Sequence, residues 1–155
     1  MAGASAPPAR AAWTVVLALL AVGPTACGAQ EEVTVPVTCR AGPEAVQRAL
    51  DDAPGPVSVD GTPLSECLAT ARDQADLQTV GAAFVEVAAE LSPQARSDPD
   101  GAATLQLGYL TGAARRGAVP GLHDELLRRL EQELVGVDTS SEAFERGERA
   151  GRTTG

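Results

Sequence analysis

Apart from Trp13 in the apolar run 13–22, this chain has three aromatic residues with which to build a core: Phe84, Tyr109 and Phe144. Aromatic rings supply much of the buried area of ordinary cores. Isoleucine is absent as well. A core must therefore be made of Leu, Val and Ala, and small side chains fill space only if the backbones that carry them come close. Such a core packs through close backbone approach rather than through large rings. Without its first 26 residues the chain has 129, which suits one domain around a single core.

The apolar spacing is mostly helical. Leu77, Val80, Phe84, Val87 and Leu91 recur at alternating steps of three and four, the spacing of one helix face, and predict a helix over about 73–91 that Ser92-Pro93 ends or kinks. Ala103, Leu107, Leu110 and Ala114 mark a second helix over 99–116, introduced by Asp98-Pro99-Asp100-Gly101. On an adjacent face of it lies Gly108-x-x-x-Gly112, which reads as a smooth patch for close approach of another helix or simply as GC-rich composition. Leu122, Leu126, Leu130 and Leu134 mark a third helix over 120–135. Thr139-Ser140-Ser141-Glu142 matches a capping box and starts a short helix around Phe144, after which 147–155 reads as a disordered tail. Further upstream, Pro43 opens a helix carrying Ala45, Val46, Ala49, Leu50 and Ala53, which Pro54-Gly55-Pro56 stops. Thr62 and Pro63 open another that reaches Arg72.

Two stretches read as extended. Val33-Thr34-Val35-Pro36-Val37-Thr38 alternates, with Pro36 limiting it to an edge. Val57-Ser58-Val59 precedes the turn Asp60-Gly61. The fold class is therefore mainly α: a small helical bundle with a short two-stranded or βαβ element near its start. The domain spans 33–146.

The N-terminus carries an address. Arg10 precedes the ten-residue run 13–22, then come Gly23, Pro24, Thr25, Ala26, Cys27 and Gly28. A positive flank, an apolar segment of roughly 7–15 residues and small residues beyond it make a secretory signal. The run is too short to span a hydrocarbon core, which needs about 20 residues. Ala26-Cys27-Gly28 resembles the lipobox of bacterial lipoproteins, with Pro24 standing where an aliphatic residue is usual, so ordinary cleavage after Ala29 stays open. Lysine, isoleucine and asparagine, all with AT-rich codons, are missing together. With Leu107-Gly108-Tyr109-Leu110, Gly112-Ala113-Ala114-Arg115-Arg116 and Arg129-Leu130-Glu131-Gln132-Glu133, the chain resembles uncharacterised actinobacterial secreted lipoproteins. That resemblance implies a signal peptide over 1–26, a diacylglyceryl anchor on Cys27 and a tether over 27–32. It brings no activity with it.

Three cysteines are present. Whether Cys27 is lipidated or removed, Cys39 and Cys67 remain as a pair. In an exported chain they are expected to form a disulfide, two buried free thiols being the other reading.

Much chemistry is excluded. Without lysine there is no P-loop Lys, no Schiff base and no Ser-x-x-Lys acylase. One histidine rules out His-Glu-x-x-His and every multi-histidine metal cluster. No Gly-x-Ser-x-Gly elbow is present, and His123, beside Asp124 at a helix start, reads as exposed and solvated. Asp98-x-Asp100-Gly101 imitates the opening of a calcium loop, but its twelfth position is Tyr109 rather than Glu, and helix-start acids explain it better. Asp51-Asp52 reads as a solvated helix end. Arg115-Arg116 occupy a last helical turn, and Arg128 and Arg129 follow Asp124 and Glu125 by four residues, so helix-surface roles fit both pairs. An anion site made by their convergence is the alternative. Without Arg10, 11 basic residues face 21 acidic ones, a balance that repels nucleic acid and anionic headgroups.

No catalytic residue, metal ligand or cofactor is expected. The remaining classes are a non-enzymatic interaction or scaffold module of the cell envelope, a small-ligand-binding lipoprotein or secreted soluble protein, and, last, a carboxylate-based hydrolase. The partners expected are the membrane, through the Cys27 anchor, and an envelope protein.

Overall fold

The computed structural model describes Gly3 and residues 34–155. The signal peptide, Cys27 and the tether lie outside the described residues. Six α-helices carry the described chain: α1 Pro43–Ala49, α2 Leu64–Thr70, α3 Gln74–Ser97, α4 Ala102–Gly117, α5 Asp124–Glu133 and α6 Glu142–Thr154. A hairpin of β1 Ser58–Val59 and β2 Thr62–Pro63 precedes α2.

Helix α4 is the centre. Every residue from Leu107 to Ala114 is buried, the signature of a helix covered on all sides. Helix α3 lies along it and buries Val80, Phe84, Val87, Ala88, Leu91 and Ala95. The side chain of Asp73 caps α3 by accepting from Asp76 N–H at 2.8 Å. Pro93 neither ends nor limits this helix, which runs on to Ser97. Its ring lies on the exposed face, and burial of Leu91 and Ala95 on the opposite side holds the last turn in place.

The most consequential departure from the sequence reading is α6. Of residues 147–155, expected as a disordered tail, 147–154 form its C-terminal half and Gly155 is its C-cap. Ser141, rather than Thr139, caps it, accepting from Phe144 N–H at 3.3 Å. Two glycine pairs explain why an arginine-rich, glycine-containing stretch is helical here. Gly108 and Gly112 face Phe144 O and Glu148 O of α6, while Gly147 and Gly151 face Leu105 O and Tyr109 O of α4. A Cβ at any of these four positions would lie within 3.0 Å of partner backbone. Residues four apart share a helix face, so each helix offers a bare strip to the other. Close approach then brings Cα–H groups against carbonyls, each contact contributing about 0.5–1 kcal/mol.

Tyr109 joins these layers to the N-terminal part of the domain. It is fully buried, and its hydroxyl accepts from Val57 N–H at 3.0 Å and lies 3.1 Å from Thr154 Oγ1. Tyr109→Phe should leave the Val57 N–H unpaired and lower the unfolding free energy by about 1–3 kcal/mol in urea titrations.

The N-terminal layer corrects one expectation and decides another. Of the extended stretch 33–38, residues 34–36 have no regular structure and Val37–Arg40 winds into a 3-10 turn. Of the two arrangements expected near the start of the domain, the two-stranded one forms and, among the described residues, no parallel βαβ unit does: the strands pair antiparallel, Ser58 with Pro63 and Val59 with Thr62. Asp60 and Gly61 both take positive φ, 48° and 86°, as a two-residue turn between twisted strands demands. The 3-10 turn brings Cys39 to α2, where it is bonded to Cys67 with Cα atoms 5.3 Å apart. The neighbouring Arg40 reaches Asp76 of α3 at 2.6 Å.

No helix among the described residues is long and apolar enough to cross a membrane.

Candidate functional site

The candidate site is a groove of about 620 Å³ between α3 and α5. Its floor is a row on α3 that runs beside the core stripe: Leu77, Gly81, Ala82, Val85 and Ala89. Leu122 and Leu126 form the opposite wall, and Gln74, Gln78, Glu86, Glu125 and Arg129 form the rim. Gly81 gives the groove its depth, because a Cβ there would stand 3.5 Å from Leu126 Cδ1. Helix α5 covers the row only in part. Leu130 alone of its residues is fully buried, Leu126 and Leu127 are half-buried, and Leu122 keeps 37% of its surface exposed.

The arginine pairs serve the fold. Arg115 bonds Glu148 of α6 and lies 3.6 Å from Glu131 of α5. Arg116 donates to Thr153 O at the end of α6. Arg128 and Arg129 both hold Glu125, at 2.7 and 2.9 Å, while Asp124, the partner expected for Arg128, accepts from Gly121 N–H at 3.0 Å. Each guanidinium thus has a partner within the domain, and the pairs do not converge on a shared anion site.

These contacts set the charges. Burial pushes the Glu148 carboxyl up, but the hydrogen bond from Arg152 and the charges of Arg115 and Arg152 outweigh it and hold the group below its usual value. Hydrogen bonds from Arg128 and Arg129 hold Glu125 low. Asp73 is lowered by the Asp76 N–H it caps, and Asp138 by Ser140, which donates both its hydroxyl and its backbone N–H.

His123 is not solvated. It is 1% exposed, with Nδ1 accepting from Val119 N–H at 2.8 Å and Nε2 3.0 Å from Ala71 O. Sequence gives no sign of this, because Ala71 lies 52 positions upstream. Asp98 is engaged through its backbone carbonyl, which accepts from Thr104 Oγ1 at 2.7 Å. Among the described residues no three His, Cys, Asp or Glu side chains come together as a metal site. The groove too escaped the sequence reading, although the four-residue steps Leu77, Gly81, Val85 and Ala89 were a signal for a second apolar row.

Comparison with protein families, curated proteins and solved structures finds no match for this chain.

Proposed function

We propose that this is an exported, lipid-anchored, non-enzymatic interaction module of the cell envelope, with the α3–α5 groove as its binding face. The observation that carries the reading is the groove itself: an apolar floor and a polar rim on which Glu125 and Arg129 pair with each other. Such a surface recognises shape and apolar area. Export is supported by the Cys39–Cys67 bond, since disulfides persist in oxidising compartments, together with the resemblance of 10–28 to a lipoprotein signal. Two acyl chains on Cys27 would hold the domain stably at the membrane, where one chain would be marginal.

The volume favours a second reading, a small apolar ligand, because about 620 Å³ falls within the range of about 300–1,000 Å³ typical of ligand pockets. Photo-crosslinking separates the two. A photoreactive residue at Ala82 or Ala89, both exposed on the groove floor, is expected to capture one discrete envelope protein, whereas the same residue at Arg149 on α6 captures none. Recovery of a lipid or metabolite in place of protein supports the second reading, and equal labelling from all three positions removes both. Val85→Arg should weaken capture at least about tenfold, equivalent to roughly 1.4 kcal/mol, without a matching loss of thermal stability. For the anchor, a fatty-acid probe is expected to label the wild-type chain and not Cys27→Ser.

A further inference from the structure

His123 is the one histidine of the chain, and it fastens the loop before α5 to the junction between α2 and α3. Because Nδ1 accepts from Val119 N–H, the ring proton sits on Nε2, which donates to Ala71 O. The neutral ring satisfies both backbone groups. A second proton would land on Nδ1 and set two donors face to face at 2.8 Å. It would also put a positive charge on the N-cap residue of α5, where the helix dipole disfavours cations.

The charged groups around the ring are committed elsewhere. Arg72 donates to Ala69 O, Asp73 caps α3, and Asp76 binds Arg40. Asp124 holds Gly121 N–H, and Glu125 is held by Arg128 and Arg129. At the end of α4, Arg115 and Arg116 are turned to α6, and Glu66 of α2 is exposed. The ring's own hydrogen bonds go to backbone groups alone, and none goes to a carboxylate.

The other fastenings of α5 lie in its second half. Leu130 is buried, Ser92 Oγ bonds Glu133 O at 2.8 Å, and just past the helix end Arg96 bonds Val135 O at 3.0 Å. The first half has half-buried Leu126 and Leu127, with His123 as its end.

We propose that His123 is an acid-operated latch: protonation releases the first half of α5 from the α2–α3 junction and opens the α3–α5 groove, with Leu130 as the pivot. Leu122 and Leu126 swing away from the row on α3, and more of Leu77 and Val85 is uncovered. The use of that opening rests on the binding role proposed for the groove, but the motion itself does not.

Amide hydrogen exchange on the disulfide-bonded protein tests the latch. Protection factors, corrected for intrinsic exchange, are compared at about pH 7.5 and about pH 5. Amides 122–127 are expected to lose protection about tenfold or more on acidification, while α4 and α6 keep theirs, and His123→Gln should show no such local loss. No loss in the wild type, or an equal loss in both proteins, overturns the proposal. Should His123→Gln fold poorly, imidazole 15N resonances of the single wild-type histidine decide the matter. The Nε2–H tautomer near neutrality, with protonation tracking the loss of protection in 122–127, supports the latch. An Nδ1–H tautomer, or protonation with those amides unchanged, overturns it. No binding partner enters this measurement, so a failed latch and a failed binding role remain distinguishable.

Discussion

Gly112→Ala is expected to lower the unfolding free energy by about 2 kcal/mol or more, while Gly81→Ala leaves it unchanged or raises it by about 0.5–1 kcal/mol. Both glycines are buried in helix interiors, so intrinsic propensity favours alanine equally at each, by about 1 kcal/mol. What differs is the neighbour. At Gly81 the added methyl meets the flexible end of Leu126 at 3.5 Å, an ordinary contact. At Gly112 it meets Glu148 O and, at 3.0 Å, Arg152 N, both backbone. Side chains can turn away, but the backbone of α6 can yield only if the whole helix moves. That movement would strain the same contacts at Gly108, Gly147 and Gly151. Overpacking typically costs about 1–3 kcal/mol, and here it must also overcome the propensity gain. Because one displacement relieves all four sites, Gly112→Ala combined with Gly147→Ala should cost less than the two costs added together. Urea unfolding of the four proteins checks this, and a neutral Gly112→Ala would show that α6 does not seat on α4 as described.

The same glycines show how far the sequence is legible. Gly108-x-x-x-Gly112 announces a smooth strip, and the strip exists. Its partner, Gly147-x-x-x-Gly151, hides in a stretch whose glycines and arginines speak against a helix. Local propensity reads a tail there because the helix is stabilised by what it touches. Strong local patterns survive the passage to structure: the Val80, Phe84, Val87, Leu91 face is the buried face of α3, and Asp60-Gly61 is a tight turn. The alternation in 33–38 misleads, since Val37–Arg40 winds instead of extending to bring Cys39 to α2. The burial of His123 and the far wall of the groove were out of reach for a different reason, although the groove's floor on α3 is marked by Leu77, Gly81, Val85 and Ala89. Both depend on where α5 lies against α3 and the α2–α3 junction, and no local spacing encodes that.

Loss of the Cys39–Cys67 bond is expected to have the largest effect on stability. The bond closes a separation of 28 residues, and chain entropy alone assigns it about 3–4 kcal/mol. For a domain of this size that corresponds to a fall in Tm of roughly 10–20 °C. The closed loop contains Val46, Ala49, Leu50, Val57, Val59 and Leu64, all buried, so much of the N-terminal layer's share of the core depends on a segment built from short elements, α1 of 7 residues and two strands of 2 residues each. Further ties hold that layer, among them Arg40 to Asp76, Val57 N–H to the Tyr109 hydroxyl and Gln106 to Asp51. They should keep the domain folded but loosened, with α1 exchanging amide hydrogens well before α4 and α6. The informative variant is Cys39→Ala with Cys67→Ala. The cysteines are 5% and 2% exposed, and serine would add unpaired buried hydroxyls to the cost of the missing bond. Reductant should lower the Tm of the wild type toward that of the double-alanine protein and leave the latter unchanged. A shift of only a degree or two would mean that the ion pair and the tyrosine already hold the layer, and the disulfide would then argue for a compartment more than for stability.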